Sequence, residues 1–210
     1  LCYSPSKLHQ VHYVRYERTS MMHMVLTCWM MCCTSVHVQG EEAKTLFIVV
    51  AGEAGMVAHS SDNGETWNLG QTAYAGSYFG VLPMGNNGVM LYGLRGTARS
   101  VADVSTLPEM DPWDLDAFSI QSEWTDEELA AIGYKNVAVP AATAVFGGAI
   151  TYDGNYIMVG QNGSMYKGTP GKTELSTVPS PTNKSLNAVV ALDDRLIATG
   201  LAGVQVIKLQ

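Results

Sequence analysis

Arg95, Arg99 and Arg195 are the only arginines after residue 40. Three guanidinium forks converging on one point would hold a carboxylate through paired hydrogen bonds. With Tyr78 or Tyr92 as nucleophile and an acidic partner, such a set would cleave a glycoside that carries a carboxylate. The spacing opposes this. Arg95 and Arg99 stand four residues apart around one turn, whereas a converging triad draws on separate parts of a fold. Other chemistries leave less trace. The chain has no GxSxG, no HExxH and no glycine loop ending in Lys-Ser/Thr. His59, the one histidine after residue 40, reads as a strand-face residue rather than a base. His23, Cys28, Cys32, Cys33 and His37 fall within 15 residues, and Cys28 and Cys32 would share a helical face, but no CxxC pair is present. Asp62-Asn63-Gly64-Glu65 lacks the alternating acidic ligands of a calcium loop. The residue types therefore predict no catalytic set, no metal and no cofactor.

The elements around these residues are repeats. Gly52/Gly55, Gly93/Gly96, Gly160/Gly163 and Gly200/Gly203 each follow an apolar run (FIVVA, GVMLY, YIMV, LIAT) and precede a short alternating run. The first glycines lie 41, 67 and 40 residues apart, one period with an insertion in the middle gap. A period near 40 with four β segments is the spacing of propeller blades. Asn86-Asn87-Gly88 and Asp153-Gly154-Asn155 predict hairpin turns. Apolar and polar residues alternate only partly, as expected of strands covered on both faces.

Ser60-x-Asp62-x-Gly64-x-Thr66-Trp67 is the most specific motif. Ser60 and Asp62 can bind backbone amides, Gly64 supplies a positive φ, and the Trp67 ring covers the turn. The pattern is that of the Asp-box, or BNR-like repeat, found in sialidases and in several non-enzymatic propellers. In that group it is structural and lies away from the ligand face. Together with Gly52-Glu53-Ala54-Gly55, Gly76-Ser77-Tyr78-Phe79-Gly80 and Tyr92-Gly93-Leu94-Arg95-Gly96, it makes residues 46–210 resemble the photosystem II stability/assembly factor-like family. The later repeats lack the box, and about four blades are visible where that family has six or seven. The resemblance implies binding or assembly rather than catalysis. It also implies a protein partner, which in the photosynthetic members is a membrane-protein complex. Arg95 matches the arginine of that family's GLRG turn and is the first candidate contact. The competing classes are a sialidase-like hydrolase, and a carbohydrate-binding propeller with Tyr78, Tyr92 and Trp113 as platforms.

Composition narrows the rest. The 210 residues carry a net charge of −7, which does not draw nucleic acid or an anionic membrane surface. All four cysteines lie in the first 33 residues, so no disulfide framework is expected in the repeats. Arg15 and Arg18 precede an uncharged run over residues 19–40 that holds five of the 11 methionines. That run reads as a secretory signal with cleavage near Val38-Gln39-Gly40, hence a periplasmic or secreted protein, lumenal if photosynthetic. With Leu1 rather than Met first, the chain reads as a fragment, a processed product or an extended reading of a gene. Residues 103–136 form an acidic insertion with nine carboxylates between Asp103 and Glu128. Thr125-Asp126-Glu127-Glu128 is a capping box opening a short helix near 125–132. Trp113, Phe118 and Trp124 in this insertion, and Arg99 beside Arg95, are further candidate contacts.

The sequence thus predicts residues 1–40 as a signal or disordered segment and 41–210 as an all-β propeller domain, or four blades of one. Its expected role is a non-catalytic, extracytoplasmic assembly or stability factor.

Overall fold

A computed structural model describes residues 36–39, 46–109 and 124–208. It contains four antiparallel sheets that follow one another along the chain. The first orders β1 (Val36–Gln39), β2 (Phe47–Ala51), β3 (Met56–Ser60) and β4 (Asn68–Gln71) side by side. The second orders β5 (Tyr78–Gly85), β6 (Gly88–Gly93), β7 (Ala98–Val101) and β8 (Lys135–Asn136). The third orders β9 (Val145–Ile150), β10 (Tyr156–Gly160), β11 (Met165–Gly168) and β12 (Ser176–Thr177). The last has three strands, β13 (Leu186–Ala191), β14 (Arg195–Gly200) and β15 (Gly203–Lys208). The leading strand of each sheet packs on that of the next: β1 on β5, β5 on β9, β9 on β13. This is a propeller arrangement of meander blades.

One hydrophobic cluster lies between each pair of neighbouring blades, and the strand period feeds them. In β6, Val89 and Leu91 enter the cluster shared with the first blade, while Met90 and Tyr92 enter the one shared with the third. In β10, Tyr156 and Met158 face the second blade, while Ile157 and Val159 face the fourth. Every residue of β6 and β10 is buried. Side chains alternate across a strand, so a strand with a neighbour on each side needs apolar residues at both parities.

The turns follow local chemistry. Asn86 and Asn87, with φ of 46° and 62°, sit at the centre of the β5–β6 hairpin, because only left-handed residues match the strand twist in a two-residue turn. Thr125 caps α1 (Asp126–Ala131) in a reciprocal box with Glu128, and Gly133 (φ 61°) ends the helix.

The acidic insertion is less external than its charge suggests. Val104, Leu107, Ile132 and Tyr134 are buried in the cluster between the first two blades. Glu109 bridges to Gly70 of the first blade, and Lys135–Asn136 is the outer strand of the second blade. Only its two flanks are described. Trp113 and Phe118 lie outside the described residues, as does most of the 1–40 segment. Of that segment, Val36–Gln39 pairs antiparallel with β2.

The fold makes unequal demands on its left-handed glycines. Gly163 has φ of 71°, and a methyl there would overlap the Thr182 carbonyl, while Gly203 has φ of 79° and open space around it. Gly163→Ala should lower the unfolding free energy by about 3 kcal/mol, combining left-handed strain with a backbone clash. Gly203→Ala should cost about 1 kcal/mol from strain alone. Urea denaturation of the two variants should separate them in that order.

Candidate functional site

The Gly-x-x-Gly turns join the second and third strands of their blades, so they all lie on one face of the propeller, at the same end of each blade. The first three share a conformation. The amide of the first glycine donates to the carbonyl of the residue after the second, at 3.0 Å in Gly52–Met56, 3.0 Å in Gly93–Thr97 and 2.9 Å in Gly160–Ser164. The residue before the second glycine is left-handed in each: Ala54 at φ 52°, Arg95 at 56° and Asn162 at 57°. The second glycines follow at 73°, 72° and 71°. The fourth differs. Gly200 pairs directly with Gly203, giving a hairpin one residue shorter.

Why glycine stands at these places is visible in the neighbouring chain. The amides of Leu94, Gln161 and Leu201 donate to the carbonyls of Ser77, Ala144 and Ser185, residues just before the leading strand of the same blade. A methyl on Gly93, Gly160 or Gly200 would collide with those carbonyls. The second glycine meets the connection into the next blade: Tyr74 at Gly55, Ala141 at Gly96, Thr182 at Gly163. Each turn is therefore a socket for the loop beside it.

Arg95 and Leu94 occupy the second of these turns, and both side chains are exposed. Below them Tyr74 donates its hydroxyl to the Leu94 carbonyl at 3.3 Å and packs its ring, tilted, against Tyr78 at 5.0 Å between centroids. Tyr78 is wholly buried, bonded at 2.7 Å to the Thr72 hydroxyl, which in turn donates to the Gly55 carbonyl. Burial pushes its phenol well above the ordinary value, with the neighbouring Tyr134 adding to the effect. Arg99 is half-buried, donates to the Ala98 carbonyl at 2.9 Å and lies 5.6 Å from the centre of the Tyr74 ring. Its Nε and the Trp124 Nε1 are buried without a hydrogen-bond partner. Arg99 and Trp124 thus pack into the blade interface, and of the three candidate contacts among the described residues it is Arg95 that projects into solvent.

The Asp-box closes the other end of the first blade, between β3 and β4. The Ser60 hydroxyl accepts from the Gly64 amide at 2.8 Å and donates to Asp62 at 2.7 Å. The Asp62 carboxylate accepts from the Thr66 amide at 2.9 and 3.0 Å and from its hydroxyl at 2.5 Å. Gly64 has φ of 88°, and its carbonyl accepts from Trp67 Nε1 at 3.0 Å. The motif's polar atoms serve its own turn. These bonds, from Thr66 first and Ser60 after it, pull the Asp62 carboxyl down to about 2. His59, on the strand leading into the box, is buried against the Phe47 ring at 5.6 Å. Desolvation lowers its pKa, against the opposing charges of Asp103 and Glu109.

Two competing readings lose their geometric basis. The three arginines do not converge, because Arg195 begins β14 at the end remote from Gly200 and pairs there with Asp194 at 2.7 Å. Tyr78 and Tyr92 are not exposed platforms or nucleophiles, since both are buried in blade interfaces. Among the described residues no cluster of His, Cys, Asp or Glu could hold a metal, and no helix is long and apolar enough to cross a membrane. The five soft ligands of the amino end lie outside the described residues except His37, which stands on β1. What sequence reasoning missed is the socket function of the glycines. The recurring Gly-x-x-Gly spacing was its only signal.

No family model matches the chain, and no curated protein does. Solved structures do. The C-terminal WD40 domain of Sif2 matches at TM-score 0.55 and 10% identity, over 83% of this chain and 46% of that one. The computationally designed Ika4 protein matches at 0.52 and 10% identity, over 83% and 96%. YCF48 bound to a D1 peptide matches at 0.48 and 16% identity, over 76% and 45%. The chain thus spans about half the length of the natural propellers among these, and its fold is that of a β-propeller.

The carboxylates with lowered pKa set an acid response. Asp62 and Asp153 are both held down to about 2 from an ordinary 3.8. A depressed carboxylate stabilises the fold above its unfolded value, and that contribution is lost as pH falls toward the folded one. Thermal unfolding should therefore show the melting temperature dropping between about pH 4 and 2. Asp62→Asn should lower stability at pH 7 and flatten that drop. An unchanged slope in Asp62→Asn would show that the box is not its source.

Proposed function

We propose that this chain is a non-catalytic, protein-binding propeller acting outside the cytoplasm as an assembly or stability factor of the photosystem II assembly factor-like type. The observation that carries the reading is Arg95. It is a charged residue held left-handed in a turn whose equivalents carry Ala54 and Asn162, and it is exposed beside the exposed Leu94. A left-handed non-glycine residue is disfavoured, so a long cation placed there, where asparagine would sit with less strain, points to use of its side chain. The socket turns hold that residue on rigid backbone, and an arginine next to an apolar residue suits an acidic, partly apolar segment of a partner. The net charge of −7 argues for a protein rather than a nucleic acid as partner. The resemblance of residues 46–210 to the assembly factor family supports a membrane-protein complex as the client. The signal-like character of the residues ahead of β1 supports a periplasmic, secreted or lumenal site of action.

The test is capture from the native membrane fraction with immobilised wild-type chain and with Arg95→Ala, followed by direct titration of the captured protein. Arg95→Ala should keep the wild-type melting temperature and weaken binding about tenfold or more. Equal binding by the two would remove Arg95 from the site. Hydrolysis of a sialoside by the pure chain, abolished by Arg95→Ala, would replace the reading with the hydrolase one.

A further inference from the structure

The leading strands of three blades share an irregularity. In the second blade Tyr78 pairs with Gly93 and Gly80 with Tyr92, so Phe79 is an extra residue between two consecutive partners. The third blade repeats it: Val145 stands opposite Gly160 and Gly147 opposite Val159, which leaves Phe146 over. In the fourth, Leu186 pairs with Gly200 and Ala188 with Thr199, leaving Asn187. Each is a β-bulge beside the first glycine of a turn, and so lies at the glycine-turn face. A bulge re-aims the side chain it adds, and bulges concentrate beside binding and active sites. Here the Phe79 and Phe146 rings meet across two blades, 5.7 Å between centroids and tilted by 33°. β5 and β9 are leading strands packed on one another, so the pair stands at the inner edge of the arc. Both rings are half-buried, and neither belongs to a hydrophobic cluster between blades. Asn187, at the same bulge, shows that the backbone there does not require an aromatic ring.

We infer that Phe79 and Phe146 form the apolar half of a binding site whose charged half is Arg95, and that the site takes a phenylalanine or leucine side chain from an acidic segment of a protein partner. The inference rests on the protein-binding reading above and gives its partner a chemistry. Three observations choose the occupant. First, the two halves adjoin. The Leu94–Gly96 turn packs on β9, and the Leu94 amide donates to the carbonyl of Ser77, two residues before Phe79. Second, charge is divided between the two faces. The loops at the glycine-turn face carry one carboxylate, Glu53, and two cations, Arg95 and Lys184. Asp62, Glu65, Asp153, Asp193 and Asp194 lie in turns at the opposite face. In a chain of net charge −7, an acidic segment therefore meets least repulsion beside Arg95. Third, a phenylalanine pair offers faces and edges but no hydrogen-bonding atom. It suits an apolar side chain, aromatic above all, better than the hydroxyls of a sugar.

The probes are labelled peptides Asp-Glu-Xaa-Asp-Glu with Phe, Leu or Ser at the centre, titrated into the full chain by fluorescence anisotropy. The wild type should bind the Phe peptide about tenfold more tightly than the Ser peptide. Phe79→Asn/Phe146→Asn gives both bulges the residue that the fourth blade carries, so it should keep its β circular dichroism and bind the two peptides alike. Arg95→Ala should weaken all three peptides and keep their ranking. A wild type without the preference, or a double variant that retains it, overturns the inference; where Arg95→Ala still weakens binding, the reading of Arg95 survives that loss. Arg95→Ala binding every peptide as the wild type does overturns both. A second measurement needs no loss of a ring. Chain labelled with 4-fluorophenylalanine gives four fluorine signals, one for each phenylalanine, assigned by single Phe→Leu variants. The Phe peptide should move the Phe79 and Phe146 signals and leave that of Phe47 in place. Movement confined to the other phenylalanines would overturn the inference.

Discussion

A blade of this chain cannot be stable alone, and everything else follows from that. Each sheet is thin, and its central strands are apolar at odd and even positions alike. β6 gives Val89 and Leu91 to one neighbour, and Met90 and Tyr92 to the other. Remove either neighbour and half of the strand's apolar surface meets water, at roughly 25 cal/mol for each Å² exposed. Stability therefore lies in the contacts between blades rather than within them. The three clusters are the core, and the hydrogen-bond ladders mainly fix which residues reach it.

The same dependence explains the turns. A Gly-x-x-Gly turn with a left-handed centre could close any strand pair. Here it also leaves room for a carbonyl from its own blade's entry and another from the next blade's. The turn thus belongs to two blades, and its geometry is settled only when both are present. That arrangement gives a rigid platform on one face of the propeller. On the proposed reading, such a platform lets Arg95 present a defined direction to a partner, because little side-chain or loop entropy is lost on contact. The opposite face is locked by other means, through the self-contained bonds of the Asp-box and the network around Asp153, where Thr151 and Asn155 hold the carboxylate.

Much of this was legible in the residues. The forty-residue period, the capping box at Thr125–Glu128, the asparagine hairpin at Asn86–Asn87 and the polar logic of Ser60-x-Asp62 are all local, since they depend on residues a few positions apart. The misjudged features were those whose meaning depends on distant chain. Tyr78 and Tyr92 read as candidate aromatic platforms, but their neighbours come from adjacent blades and bury them. The nine carboxylates between Asp103 and Glu128 read as an acidic insertion, and it is only packing that anchors its described flanks through Val104, Leu107, Ile132 and Tyr134. Arg95, Arg99 and Arg195 were alike as letters, and strand direction put one in solvent, one in an interface and one at the far end.

What the sequence determined by itself is the repeat: its period, its turn chemistry and the two-sided apolar strands that require neighbours, because each is written in the spacing of nearby side chains. What the tertiary structure decided is which face each blade turns to which neighbour, and which of the arginines is drawn into an interface. Those outcomes depend on packing between segments separated by forty residues or more, and no local pattern encodes the direction in which one blade meets the next.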